Sequence, residues 1–230
     1  MPPLVRRLLA EAVGSAVLAA VVIGSGIAAQ TLSPGDVGVE LLENALVTAG
    51  GLYVLILLLA PVSGAHFNPV VSFADVVLGR MRLAAAASYA AAQLGGCCLG
   101  ALLANAMFSR AVFETSHHHR MSGGHWLAEL VATAGLLLVI FGLARNGNHA
   151  ATPAAVAAYI GAAYFFTSST SFANPAITVG RMLSDTFAGI APASAPGYVS
   201  AQIAGGAVGL ALVVALFPAR PRPAGGDQAR

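Results

Sequence analysis

The residues best placed to do chemistry are two asparagines, each followed by proline and an apolar run. Asn68 follows Ser63-Gly64-Ala65-His66-Phe67 and opens Pro69-Val70; Asn174 follows Thr170-Ser171-Phe172-Ala173 and opens Pro175-Ala176. Asn caps a helix N-terminus, and Pro fits the first turn because its missing N–H would have no partner there. Each copy therefore opens a helix. The helices that follow are too short to cross a bilayer, since about twelve residues at 1.5 Å rise reach about 18 Å against roughly 30 Å of hydrocarbon. Broken backbone at membrane depth is tolerated only when buried in protein or lining a watery cavity. Two half-helices in corresponding places of two halves point to a path at the midplane. Their N-termini bring about half a positive charge each, and the Asn amides can donate hydrogen bonds to a polar solute while cations are turned away.

The elements that must position these asparagines are membrane spans. The chain of 230 residues is 57% hydrophobic and 9% charged, far from the roughly 25% charge of a soluble domain. Spans are expected at about Leu8–Ala29, Val39–Pro61, Leu83–Phe108, His125–Leu143, Ala154–Thr167 and Tyr198–Phe217, with re-entrant segments ending near Leu78 and covering Ser168–Asp185. The first segment, preceded by Arg6 and Arg7, has the look of a secretory signal. Its length and Glu11 favour a retained span. The net charge of +2 comes from eleven arginines and no lysine, too little and too dispersed for a nucleic-acid footprint. Arg6, Arg7, Arg80, Arg82, Arg145, Arg220, Arg222 and Arg230 fall on the side of the termini, against Arg110, Arg120 and Arg181 opposite, so the positive-inside rule places both termini in the cytoplasm.

The two halves repeat. Asn68 recurs 106 positions later as Asn174, Tyr89, Gln93, Gly96 and Gly100 recur 109 later as Tyr198, Gln202, Gly205 and Gly209, and Glu11 recurs 118 later as Glu129. Three spans per repeat, an odd number, invert the second copy relative to the first. The halves cover about residues 8–108 and 125–217 of one domain, and 218–230 reads as a mobile cytoplasmic tail. The Gly96/Gly100 and Gly205/Gly209 pairs suggest close approach between the third and sixth spans. Cys97 and Cys98 read as small packing residues, with a thiol pair for a soft metalloid as the other possibility. The run His117-His118-His119-Arg120 reads as a solvated loop, or as a metal- or anion-gathering mouth.

The paired motifs, with Ser63-Gly64-Ala65-His66 before the first, resemble the asparagine-proline-alanine signature of the aquaporin and aquaglyceroporin (major intrinsic protein) family over roughly residues 8–217. The resemblance implies an all-α membrane protein with six transmembrane helices and two half-helices in an inverted repeat. It implies a passive channel for small uncharged solutes, with no enzyme activity, cofactor or metal. It further implies a multi-pass protein of the inner (plasma) membrane, assembled as a homotetramer with one pore per subunit, whose partners are the lipid bilayer, water and small neutral solutes. Glu11 and Glu129 then support the re-entrant loops, a proton relay being the alternative, and His66 and Phe172 face the pore.

Counting from the motifs, the family's four selectivity positions fall on Thr48, Ala162, Ser171 and Ile177. Position 177 departs from the family's arginine, and the other three residues are small, so a wide, uncharged constriction is expected. This filter resembles that of bacterial members associated with metalloid handling, which implies glycerol, arsenous acid and water as permeants. A water-selective channel, a closed-pore membrane scaffold and a metalloenzyme built on the loop histidines are the rival readings. Arg181, one turn beyond Ile177, is either a displaced vestibule charge or a solvated helix-end cation paired with Asp185.

Overall fold

The computed structural model describes residues 2–218. Among them are eight α-helices: α1 Leu4–Leu32, α2 Val37–Ser63, α3 Pro69–Val77, α4 Leu83–Met107, α5 Gly123–Arg145, α6 Thr152–Phe166, α7 Pro175–Arg181 and α8 Ala195–Leu216. The arginines at 220, 222 and 230 and nearly all of the expected tail lie outside the described residues.

Local chemistry sets the ends of these helices. Asp36 caps α2 by accepting the Val39 N–H, and α2 stops at Gly64, whose φ of 97° is left-handed. Ser122 caps α5 through the His125 N–H. The first two spans run longer than expected, because the helices continue through the polar residues at their ends, Arg6 and Arg7 in α1 and Glu40 near the start of α2. Five helices, α1, α2, α4, α5 and α8, are long and apolar enough to cross a membrane. The sixth, α6, has 15 residues, about 22 Å of rise, and is extended at its start by a 3₁₀ turn at His149–Ala151. The half-helices α3 and α7 have only 9 and 7 residues. The outward faces are apolar: Leu9, Val13, Leu57, Leu58, Leu99, Leu103, Leu127 and Ile203 are all exposed, which suits side chains that meet lipid.

Packing follows the repeat, with one correction. The small-residue faces do not join the third and sixth spans: α4 lies along α1, and α8 along α5. A Cβ on Gly96 or Gly100 would overlap the Ala12 or Ala16 carbonyl of α1, and one on Gly205 or Gly209 the Leu130 or Ala134 carbonyl of α5. Each pair thus brings together two spans of the same half, and the halves meet through α2 with α6, through α7 packed on α4, and through the re-entrant loops. The central core is built around those loops, with Phe67 and Ala173 among Leu18, Ile23, Leu52, Leu136 and Ile160.

This packing separates two adjacent glycines. Gly96→Val, forced against the Ala12 carbonyl, is expected to cost about 2 kcal/mol or more and to lower the melting temperature of the purified protein by several degrees. Gly95→Val, with nothing within 4 Å of its Cβ, is expected to leave it nearly unchanged.

A candidate permeation pathway

The two asparagines meet at the centre of the molecule. Each is the N-cap of its half-helix: Asn68 Oδ1 accepts the Val70 N–H at 3.0 Å, and Asn174 Oδ1 accepts those of Ala176 at 2.9 Å and Ile177 at 3.3 Å. The amide nitrogens cross to the opposite loop. Asn68 Nδ2 donates to the Ala173 carbonyl and Asn174 Nδ2 to the Phe67 carbonyl, each at 2.7 Å. Capping and cross-linking are thus done by one side chain, and a second N–H of each amide remains for the path. Both asparagines line the central cavity.

Holding two carbonyls toward each other bends the loops into a backbone that non-glycine residues rarely adopt. Ala65 and Phe67 have φ of 51° and 49°, and the equivalent Ser171 and Ala173 have 50° and 48°. Such residues cost of order 1–3 kcal/mol each and persist only when their surroundings over-determine them. The surroundings are the two glutamates. Glu11 accepts N–H bonds from His66 at 3.0 Å and Phe67 at 2.7 Å, with the Ser63 hydroxyl at 2.6 Å and Gln93 Nε2 at 2.8 Å. Glu129 accepts from Phe172 at 2.9 Å, Ala173 at 2.8 Å and Gln202 Nε2 at 2.6 Å. Gln93 also donates to Ser72 and Gln202 to Thr178, tying each glutamate to its half-helix. Gln93, Gln202, Ser72 and Thr178 carry no motif of their own; their recurrence at matching offsets was the signal that could have found them.

The cavity runs from the junction in both directions. Thr48, Leu52, Ile160, Tyr164, Ser171, Phe172, Ile177 and Arg181 line its outer part. Toward the side of the termini it shares His66, Val71, Ile140 and Val156 with an inner vestibule that also has Arg7, Asp75, Arg80 and His149 in its wall. The space open to water is ≈70 Å³ in the central cavity and ≈460 Å³ in the vestibule. His66 stands at the boundary, its Nδ1 3.1 Å from the Ser72 hydroxyl and its Nε2 3.3 Å from Asp75.

At the outer end the structure departs from the expected filter. Ala162 is exposed on the far face of α6, whereas Ile160 and Tyr164, one turn apart, line the cavity, and the Tyr164 hydroxyl donates to Thr48 Oγ1 at 3.2 Å. Position 177 has no arginine, yet the cavity is not uncharged, because Arg181 folds back into it. Arg181 is only 2% exposed and lies 3.4 Å over the centroid of the Phe172 ring, with its Nε on the Ala188 carbonyl. It is not a solvated helix-end cation, and Asp185 instead takes the backbone N–H and the ring of His117 at 2.8 and 3.0 Å. Arg120, from the loop after α4, also lies over Phe172, at 5.5 Å, and donates to the Gly189 and Phe187 carbonyls. Two guanidiniums therefore hold three successive carbonyls of one loop. The segment after α4 docks on it through Ser116 N–H to the Met182 carbonyl and Ala191 N–H to the His118 carbonyl, the two together forming an outer cover.

The remaining sequence candidates do not converge. The Cys97 thiol turns into the α1–α4 seam, 3.7 Å from the Ser15 carbonyl, while Cys98, next along the helix, turns elsewhere. No group of three or more metal-binding side chains forms among the described residues. His117, His118 and His119 are all exposed, as expected of a solvated loop, while His117 is bound to Asp185 and the His118 carbonyl accepts the Ala191 N–H.

Helical spans in two equivalent halves around a narrow, partly polar cavity that adjoins a wider vestibule define a channel-type membrane protein. Residues 1–172 match the family model of the major intrinsic proteins. The aquaglyceroporin AqpS of Rhizobium meliloti is 43% identical over 219 residues, 95% of this chain and 93% of that protein. The chain belongs to the major intrinsic protein family. The glycerol uptake facilitator protein of Pseudomonas aeruginosa is 31% identical over 170 residues, 64% of this chain and 60% of that protein. In fold, the chain is similar to the aquaglyceroporin from Plasmodium falciparum, with a TM-score of 0.69 at 23% identity over 94% of this chain and 96% of that one.

Two predictions test the site's supports. Glu129→Gln turns an amide donor toward one of the N–H groups of Phe172 and Ala173, which is expected to cost about 1–3 kcal/mol, to lower the melting temperature, and to speed hydrogen exchange at those two amides. The outer cover is expected to loosen in acid. Hydrogen bonds from His117 hold the Asp185 carboxyl below its usual range, and burial beside Arg120 holds the His118 imidazole below its own. Both depressed values make the docked cover more stable at neutral pH. That stability falls first as pH drops below the ordinary histidine value of about 6.5, then again near and below the ordinary aspartate value of about 4. Hydrogen exchange of residues 109–122 should therefore rise, relative to its intrinsic rate, on acidification, and Asp185→Asn should remove the second step.

Proposed function

We propose that this protein is a passive channel of the aquaglyceroporin type, passing glycerol, metalloid hydroxides such as arsenous acid, and water down their gradients. The reading rests above all on the reciprocal asparagine pair, which lines a cavity sharing its wall with the inner vestibule. A neutral solute with hydroxyl groups exchanges hydration for the free Asn N–H groups at the junction. Its carbon skeleton slides along Leu18, Val22, Leu52, Val156, Ile160 and Ile177 on the walls. A cation meets amide donors and Arg181 there, and no carboxylate lines the central cavity among the described residues. Asn68, Pro69, Val70, Asn174, Pro175 and Ala176 form the junction. Thr48, Tyr164, Ser171 and Ile177 form the outer filter, with Tyr164 in the place expected for Ala162. The family and the printed activities of the relatives support a channel rather than an enzyme. The same relationship supports a homotetramer in the plasma membrane, each subunit a single channel domain of two inverted halves, and the arginine distribution supports cytoplasmic termini.

Stopped-flow light scattering on proteoliposomes tests this. The natural protein is expected to pass water, glycerol and arsenous acid above empty liposomes. Ile177→Arg, which adds a second guanidinium to the same turn as Arg181, is expected to suppress glycerol and arsenous acid at least about tenfold while water still moves. Water flux alone from the natural protein would show a water-selective pore instead.

A further inference from the structure

The outer end of the path holds two buried guanidiniums that no carboxylate neutralises among the described residues. The acids around them are engaged elsewhere: Glu129 by the Phe172 and Ala173 amides and Gln202, Asp185 by His117, and Glu114 by Arg110. Arg120 is tied to the Phe187 and Gly189 carbonyls. Arg181 differs. Its Nε holds the Ala188 carbonyl, its face is covered by Phe172, and its terminal nitrogens make no hydrogen bond within the described residues, although the side chain lines the cavity. A second orphan lies in the same wall: the Ser171 hydroxyl is buried in a residue only 3% exposed and has no partner among the described residues.

A guanidinium edge presents parallel donors at the spacing of two carboxylate oxygens, and a charge-assisted pair of this kind is strong where water is scarce. The Phe172 ring blocks one face and holds the plane fixed, so approach is confined to the edge that looks into the cavity. We propose that the free edge of Arg181, with the Ser171 hydroxyl, is a subsite in the outer pathway for a small monocarboxylate. Its two oxygens take the terminal guanidinium N–H groups, and the apolar remainder lies against Ile177 and the α2 wall at Leu52. The site rests on the channel reading only for its consequence: a bound carboxylate occupies the path and slows neutral solutes.

Calorimetric titration of the purified protein with sodium formate, at ionic strength fixed with sodium chloride, reads the site without any flux. Saturable binding is expected, weakened at least about tenfold by Arg181→Gln and about threefold by Phe172→Leu, which keeps the cation and removes its platform. If Arg181→Gln does not fold, Phe172→Leu and Ser171→Ala decide the matter, and full-strength binding in both overturns the proposal. Formate binding unchanged by Arg181→Gln, or displaced equally well by chloride, also overturns it. In proteoliposomes, glycerol flux is expected to fall as formate fills the site. Glycerol flux with no formate binding removes the subsite and leaves the channel, whereas formate binding with no solute flux removes the channel reading and leaves the subsite.

Discussion

The structure depends on a pair of crossed hydrogen bonds, Asn68 to the Ala173 carbonyl and Asn174 to the Phe67 carbonyl. They join two chain segments that have no regular secondary structure and lie in the middle of an apolar molecule, where every unpaired peptide group costs several kcal/mol. Because each asparagine also caps its own half-helix, a single side chain sets where α3 and α7 begin and how far apart they stand. The distance between the loops, and so the bore at the junction, follows from two amide groups.

Crossed bonds alone would not hold four left-handed non-glycine residues. The buried carboxylates of Glu11 and Glu129 do, and this answers why a chain with so few charges keeps these two fully buried. A carboxylate at bilayer depth costs about 2.5–3.5 kcal/mol on insertion scales. It is tolerated when its lone pairs are filled, and both Glu11 and Glu129 receive several short bonds. Each network fixes the loop backbone through its carboxylate, while the Oε1 atoms of Gln93 and Gln202 have no partner among the described residues. Here rigidity has a functional meaning, since a junction that widened would lose the donor spacing a solute must match.

The junction was readable from sequence because its grammar is local: Asn before Pro before an apolar run, written twice, with Glu11 and Glu129 at repeat offsets. Span number and the inverted order were readable for the same reason. The outer filter was not, because tertiary contacts decide it. Counting back from Asn174 lands on Ala162, but α6 is apolar around its whole circumference, so nothing in its pattern says that 160 and 164 face inward. Arg181 sits on the same helical face as Ile177, and spacing alone leaves it free to point to water. Phe172 below it and the Ala188 carbonyl beyond it draw it inward, and both belong to segments that sequence leaves without defined shape. The glycine pairs were legible as close contacts but not as to partner, since a small-residue face fits any neighbour.

A fixed, donor-lined junction should pass neutral molecules while refusing protons. Proteoliposomes loaded with a pH-sensitive dye, given a proton gradient and an osmotic glycerol gradient in the same preparation, measure both at once. Glycerol and water flux are expected well above those of empty liposomes, with proton flux equal to theirs. Proton flux that rises with protein content, alongside the solutes, would contradict that expectation.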